Sequence, residues 1–186
     1  MSDKKITICV LGKSSVGKTS LILELMGQPD ANVGDQKEFT LNLKINEVDF
    51  ELILIERNFD DIESESMNSV DGFMMVYSVD DQDSFFELKK NHQIIVKNRG
   101  THKFHLLVIG NKGEILEGRK IKREEGERYA NETNVDFYET SAVKHNNVRE
   151  SFLHLSQTIL RYKYPEVFEN EQPKGNASLA KRCYCF

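Results

Sequence analysis

The chain has little of what marks membrane-spanning or secreted proteins. None of its apolar runs approaches the roughly 18 residues that a membrane-spanning helix needs, and no signal peptide precedes Ile6. There are three cysteines. Cys9 lies inside an apolar stretch, while Cys183 and Cys185 are too close together to staple a fold. These absences predict an intracellular protein in a reducing environment.

An excess of positive charge and internal repetition are also missing. The sequence has 30 acidic and 25 basic residues, which give a formal net charge of −5 at pH 7. A mildly acidic chain is a poor candidate for binding nucleic acid across its surface, so we expect no nucleic-acid partner. Its 186 residues, 39% of them hydrophobic, suffice for one domain with a buried core, which we expect to be a monomer.

The most informative motif that is present spans residues 12–19, Gly-Lys-Ser-Ser-Val-Gly-Lys-Thr, and has the G-x-x-x-x-G-K-[ST] pattern of a phosphate-binding loop. It follows an apolar, β-branched run and leads into a helix-like stretch, so backbone N–H groups and the helix dipole would converge on an anion. Lys18 would reach the β- and γ-phosphates, and the Thr19 hydroxyl would hold Mg²⁺. The alternative is a glycine-containing turn with an incidental lysine.

Apolar strand candidates alternate with amphipathic helical stretches. The predicted strands are 6–11, 37–46, 48–56, 72–79, 105–109 and 135–140, of which 37–46 and 48–56 form an antiparallel hairpin. The predicted helices are 18–26, 84–98, 122–132 and 147–162, with a helical turn at 62–70. This alternation predicts an α/β fold, a doubly wound, mostly parallel six-stranded sheet with flanking helices that binds ligands at the carboxyl ends of its strands. We expect the domain to span residues 4–164 and a flexible tail to span 165–186.

Two further motifs separate the classes of phosphate-loop protein. Residues 111–114, Asn-Lys-Gly-Glu, follow an apolar strand and resemble the N-K-x-D guanine-reading motif of the Ras superfamily. Residues 139–142, Glu-Thr-Ser-Ala, resemble that superfamily's E-T-S-A guanine loop. With the phosphate loop and Asp-Gly-Phe at 71–73 in matching positions, the resemblance covers residues 4 to about 162. It implies a P-loop G domain that binds GTP or GDP with Mg²⁺.

The resemblance assigns a role to each loop. The Glu114 carboxylate can accept hydrogen bonds from guanine N1–H and the 2-amino group, which adenine does not offer. The Lys112 stem would lie on the base, Asn111 would tie the guanine loop to the phosphate loop, and the Ala142 N–H would meet guanine O6. The nucleotide-binding residues that it implies are Ser15, Val16, Gly17, Lys18, Thr19, Ser20, Asn111, Lys112, Glu114, Ser141, Ala142 and Val143. Because Glu114 stands where the family has Asp, we expect looser base selection.

The sequence departs from the family where the metal and the γ-phosphate are sensed. The family's D-T-A-G-Q is here Glu-Arg-Asn-Phe-Asp at 56–60. Glu56 could still reach Mg²⁺ through water. Phe59 replaces a glycine whose N–H meets the γ-phosphate, and a side chain there restricts the approach of the backbone. Asp60 replaces the Gln that orients water, is too short for that role, and its charge would repel the phosphate.

The segment around residues 30–35, where the family has a threonine that contacts the metal, is altered as well. The position of its threonine falls near Gly34, and the nearest threonine, Thr40, lies inside a predicted strand. No aromatic residue occurs between Ser20 and Glu38, so the ring that packs against guanine is absent. We therefore expect a GTP hydrolase whose activity is weak or defective, and we assign no catalytic residue.

The chain ends Cys-Tyr-Cys-Phe at 183–186, which fits a C-a-a-X box that favours geranylgeranylation of Cys183. One prenyl chain anchors weakly, so a second lipid on Cys185 or help from the basic pair at 181–182 would be needed. The alternative is an unmodified tail. With the lipid, we expect the protein at the cytoplasmic face of the plasma membrane or an endomembrane and partly in the cytosol.

The leading hypothesis is a divergent small GTPase of the Ras superfamily, anchored to a membrane, which acts in signalling or vesicle trafficking through effector and regulatory proteins. The second is a pseudo-GTPase, an interaction module that does not switch. The altered positions Gly34, Glu56, Phe59 and Asp60 distinguish the two. A small-molecule kinase would need an arginine-rich lid, and the sequence has no arginine cluster between its predicted strands.

Overall fold

The computed structural model describes residues 4–61, 69–99 and 103–168. Within these residues, six strands form one sheet and four α-helices pack against it. The strands are β1 (Lys5–Gly12), β2 (Glu38–Ile45), β3 (Val48–Arg57), β4 (Gly72–Ser78), β5 (His105–Asn111) and β6 (Asp136–Glu139). The helices are α1 (Lys18–Leu25), α2 (Gln82–Arg99), α3 (Arg123–Thr133) and α4 (Val148–Lys163), with short 3₁₀ turns at Phe59–Asp61 and Pro165–Phe168.

The sheet is mostly parallel and has the strand order β2-β3-β1-β4-β5-β6. Among the described strands only β2 is antiparallel, and it forms a hairpin with β3 in which Ile45 pairs with Val48. The remaining neighbours are parallel, and α2 and α3 connect β4 to β5 and β5 to β6. The predicted fold class is therefore confirmed. Because the parallel strands share one direction, their carboxyl ends lie at one edge of the sheet.

Alternate residues of β1 supply two hydrophobic cores on opposite faces of the sheet. Ile6, Ile8 and Val10 belong to one cluster together with residues of α1 and α4. Cys9 and Leu11 belong to the other, together with residues of α2 and α3. Successive side chains of a strand point to opposite faces, so a pair of helices covers each face. Both β4 and β5 are buried along their whole length, as is typical of parallel strands covered on both sides.

The last residues that the structure describes pack against the amino-terminal edge of the sheet. Phe168 is buried, and Glu166 pairs with Lys4 at 2.6 Å. Nearby, the Asp71 carboxylate accepts a hydrogen bond from the Thr7 N–H at 2.8 Å. The globular part therefore includes the turn Pro165–Phe168, which the sequence placed in the tail.

Three sequence predictions differ from the structure or fall outside the described residues. Helix α2 begins at Gln82 rather than at residue 84, because Asp81 Oδ1 accepts from the N–H groups of Asp83 and Ser84 at 3.0 and 3.2 Å and so caps the helix. The described residues do not include most of the helical turn predicted at 62–70. They also do not include the tail 169–186, which contains Cys183. None of the helices within the described ranges is long and apolar enough to cross a membrane.

Candidate functional site

The phosphate-binding loop joins the end of β1 to the start of α1, at the carboxyl edge of the sheet. Ser15 and Gly17 have positive φ values of 67° and 93°. Left-handed residues of this kind form the concave nests of backbone N–H groups that bind phosphate. A Cβ atom on Gly17 would lie 2.4 Å from Asn111 Nδ2, so a side chain here would displace the Asn111 carboxamide and would be strained at this φ. The backbone path of the loop is therefore fixed by its contact with β5.

The side chain of Lys18 is held over this loop, and the residue is only 5% exposed. Its Nζ donates to the carbonyl oxygens of Gly12 and Lys13, both at 2.9 Å, and to Asn58 Oδ1 at 3.0 Å. Such partners are needed because a buried ammonium without them is costly. Since an ammonium has three N–H donors, the Asn58 contact takes a donor that a phosphate oxygen would otherwise use.

Asn111, the last residue of β5, links the phosphate loop to both predicted guanine loops. It is 2% exposed, and its Nδ2 donates to the Val16 carbonyl at 2.9 Å. Its Oδ1 accepts from Thr140 Oγ1 at 3.1 Å, and the Gly113 N–H donates to the Thr140 carbonyl at 2.9 Å. Three segments that are distant in sequence thus meet at one buried carboxamide. Removing it would leave a buried donor and a buried acceptor without partners.

Glu114 has one carboxylate oxygen, Oε2, that is buried and has no hydrogen-bond partner among the residues that the structure describes. Buried polar atoms nearly always have partners, so this oxygen is suited to accept from a ligand. Guanine fits this position, because its N1–H and 2-amino groups are adjacent donors.

Lys112 lies beside Glu114 and is oriented by acidic residues after β4. It has a φ of 63°, and its Nζ lies 3.6 Å from Asp80 Oδ1. Asp80 also accepts a hydrogen bond from Ser78 Oγ, which is the largest cause of the lowered pKa of Asp80, and the charge of Lys112 lowers that pKa further. Asp80 therefore stays ionised at neutral pH and holds Lys112 by charge.

The loop after β6 brings the last predicted contacts to the same edge. Ser141 and Asn146 exchange backbone hydrogen bonds of 3.0 and 2.9 Å, and Ser141 Oγ accepts from the Lys144 N–H at 3.0 Å. Ala142 is partly buried against the core, whereas Val143 is 72% exposed. The three predicted groups of nucleotide contacts, at 15–20, 111–114 and 141–143, thus follow the ends of β1, β5 and β6.

Thr19 and Glu56, the residues predicted to hold Mg²⁺, contact each other directly. Thr19 Oγ1 donates to Glu56 Oε2 at 2.7 Å, and Lys37 Nζ lies 3.3 Å from Glu56 Oε1. The hydroxyl and the carboxylate are oxygen ligands of the kind that Mg²⁺ binds, so these two residues fit the ion. The position of Lys37 is unfavourable for Mg²⁺, because its ammonium already places a positive charge beside the Glu56 carboxylate. Within the described ranges, no group of three or more His, Cys, Asp and Glu side chains could hold a metal ion.

The residues that depart from the family on the γ-phosphate side have other structural roles. Gly34 is exposed and has a φ of 51°, which disfavours a β-branched threonine there. Phe59 is 6% exposed and belongs to the core cluster that includes Leu11, Phe73 and Leu88. It anchors the 3₁₀ turn Phe59–Asp61 to the core, where the family's glycine has no side chain to bury.

Two contacts of this site were missed by the sequence analysis: Asn58 with Lys18, and Lys37 with Glu56. No motif includes Asn58, because it lies within the segment that departs from the family. The sequence did contain a signal for Lys37. Since Ile45 pairs with Val48 across the hairpin, the same register sets residue 37 opposite residue 56.

The fold and the site define a phosphate-loop nucleotide-binding protein, and comparison with known proteins identifies its family. The model of the Ras family matches residues 7–161. The chain is 26% identical over 182 residues to Ras-like protein rasS of Dictyostelium discoideum, with 94% of each chain covered. It is 27% identical over 175 residues to Ras-like protein family member 11A-like of Danio rerio, with 86% of this chain and 69% of the relative covered. The chain belongs to the Ras family.

The buried position of Phe59 predicts a role in stability. We expect Phe59→Ala to lower the free energy of unfolding by about 3–5 kcal/mol, because it removes a core aromatic ring and leaves a cavity. Phe86→Ala is the matched control, since Phe86 is 69% exposed, and it should change stability by less than about 0.5 kcal/mol. Urea denaturation measures both. Equal effects of the two substitutions would contradict the core role of Phe59.

Proposed function

We propose that this chain is a guanine-nucleotide-binding small GTPase that hydrolyses GTP very slowly and acts from a membrane surface in signalling or vesicle trafficking. Its family implies guanine-nucleotide binding, GTPase activity and contacts with effectors and regulators in general. The observation on which the proposal depends is the buried Asn111 carboxamide, which joins the phosphate loop to the segment after β6. A base and a phosphate chain bound at these loops would be aligned by one residue.

The base end of the site supports a preference for guanine. Glu114 Oε2 is buried without a partner among the described residues, so adenine, which lacks the matching donors, would leave it unpaired. A site built to accept hydrogen bonds rejects a ligand that lacks the donors more strongly than an apolar pocket does. The glutamate is one methylene longer than the family's aspartate, and residues 21–37 offer no aromatic ring. Affinity should therefore be lower than is typical of the family.

The phosphate end supports slow hydrolysis. A γ-phosphate would have to compete with Asn58 for Lys18, and Phe59 is held in the core. Asp60 is exposed and places a carboxylate, rather than a neutral amide, where the family positions water. Thr19 and Glu56 would hold Mg²⁺, which supplies charge neutralisation of the phosphates when it is bound.

Guanine-nucleotide binding should depend on Lys18. We expect Lys18→Ala to weaken GDP binding by at least about 10²-fold, because charged hydrogen bonds contribute about 1.5–3 kcal/mol each. Titration with a fluorescent GDP analogue measures this, with ATP as the competitor that should fail. Lys44→Ala is the control, since Lys44 pairs with Glu47 at the far end of β2. Unchanged affinity in Lys18→Ala, or a preference for ATP, would show that the guanine site is wrongly assigned.

Hydrolysis should be slow in the wild type and hard to restore. In a single-turnover assay we expect a rate below the ~10⁻⁴ s⁻¹ scale of unstimulated Ras, with little gain from an activating protein of a conventional relative. Asp60→Gln should raise the rate by less than about tenfold, because the metal side and Phe59 remain altered. Rapid turnover in the wild type that Asp60→Ala abolishes would instead identify Asp60 as a working catalytic group.

A second candidate function is a pseudo-GTPase that binds partners without switching. It is favoured by the two contacts that fill the γ-phosphate and metal side, from Asn58 to Lys18 and from Lys37 to Glu56. Hydrogen exchange of the GDP-bound and GTP-bound protein separates the candidates. A switching GTPase would change protection in segments 30–37 and 56–61, and a pseudo-GTPase would not.

Membrane attachment is proposed from the C-a-a-X sequence and from the direction in which the chain leaves the domain. Phe168 packs at the amino-terminal edge of the sheet, where Glu166 pairs with Lys4. Lys4 lies just before β1, whereas the phosphate loop begins at Gly12, at the other end of that strand. The remaining 18 residues, 169–186, therefore follow a point at the edge opposite the phosphate loop.

In a eukaryotic cell we expect Cys183→Ser to move the protein from the membrane fraction to the cytosol. Removal of Phe186 should have the same effect, because the prenylating enzyme reads the whole C-a-a-X box. Ser178→Ala, in the same tail, serves as the control and should leave fractionation unchanged. If Cys183→Ser fractionates like the wild type, the tail does not anchor the protein through this cysteine.

A further inference from the structure

Lys37 faces Glu56 because of the register of the β2–β3 hairpin. The ladder pairs Glu38 with Ile55, and the Glu56 N–H donates to the Lys37 carbonyl at 2.7 Å, which extends the ladder by one residue. Side chains of directly opposed residues lie on the same face of a sheet. The contact of Lys37 Nζ with Glu56 Oε1, at 3.3 Å, is thus a consequence of backbone pairing.

The Glu56 carboxylate is satisfied on both of its oxygens. Oε1 contacts Lys37, and Oε2 accepts from Thr19 Oγ1 at 2.7 Å. Glu56 is 6% exposed, whereas the side chain of Lys37 is 53% exposed. A buried carboxylate needs a compensating charge and hydrogen bonds, and here this chain supplies both.

The position that corresponds to the family's metal-sensing threonine, near Gly34, supplies no side-chain ligand for the metal. Gly34 has no side-chain oxygen, and its φ of 51° matches a glycine. Thr19 and Glu56, the two residues predicted to hold Mg²⁺, hydrogen-bond each other. A divalent ion would have to displace that bond and approach a carboxylate beside an ammonium.

We propose that Lys37 is an internal cation that competes with Mg²⁺ for Glu56, so that nucleotide binding by this protein depends little on Mg²⁺. The inference rests on the proposed guanine-nucleotide binding and specifies how the metal side of that site works. The ammonium compensates Glu56 whether or not a nucleotide is bound. Removing it would leave a buried carboxylate that only a cation from solution can neutralise.

The test is the dissociation rate of a fluorescent GDP analogue from the full-length chain, chased with excess GDP in millimolar Mg²⁺ or in EDTA. For the wild type we expect EDTA to speed dissociation by less than about threefold. For Lys37→Gln we expect at least about tenfold, which corresponds to about 1.4 kcal/mol, on the scale of one charge-assisted hydrogen bond. Lys37→Arg keeps the cation and should behave like the wild type.

Lys44→Gln is the matched control, because it removes the same charge from a lysine of β2, the strand that begins one residue after Lys37, and that lysine pairs with Glu47. It should leave the EDTA effect unchanged. A wild type that loses GDP more than tenfold faster in EDTA, to the same extent as Lys37→Gln, would overturn the role of Lys37 while leaving guanine-nucleotide binding intact. Absence of GDP binding in both conditions would overturn the proposed function itself and this inference with it.

Discussion

The arrangement of the site depends on one buried hydrogen-bonding residue, Asn111. Its carboxamide donates to the Val16 carbonyl and accepts from Thr140 Oγ1, so the segments that follow β1, β5 and β6 share a single fixed point. Glycine at position 17 suits the same arrangement, since a Cβ there would displace the Asn111 carboxamide and the φ is positive. The parallel sheet brings these strand ends to one edge, but this residue holds the loops in register with each other.

On the other side of the site, the chain uses its own side chains where the family uses ligand and metal. Asn58 contacts Lys18, Lys37 contacts Glu56, and Phe59 is part of the hydrophobic core. Each of these contacts stabilises the protein without a nucleotide in place. The base would meet a site altered only by Glu114 and by the missing aromatic ring, whereas the γ-phosphate would have to displace the contact of Asn58 with Lys18.

Much of the fold could be predicted because its determinants are local and periodic. The apolar runs of β4 and β5, the hairpin pattern and the phosphate-loop motif each specify their own element, and helical crossovers then fix the sheet. The start of α2 was misplaced because the capping side chain, Asp81, lies outside the apolar pattern that marks the helix. The Lys37–Glu56 and Lys18–Asn58 contacts join residues 19 and 40 positions apart. They depend on register and on packing, which composition and motifs do not record.

We propose that the base and diphosphate end of this site binds nucleotide, although Glu114 alters it, while contacts within the chain occupy its γ-phosphate end. The most direct measurement is the ratio of affinities for GDP and a non-hydrolysable GTP analogue, determined by calorimetry on the nucleotide-free protein. We expect the analogue to bind no more tightly than GDP, because its third phosphate must displace Asn58 from Lys18 and approach Asp60. An analogue that binds at least about tenfold more tightly than GDP, a gain of 1.4 kcal/mol from the γ-phosphate, would contradict it.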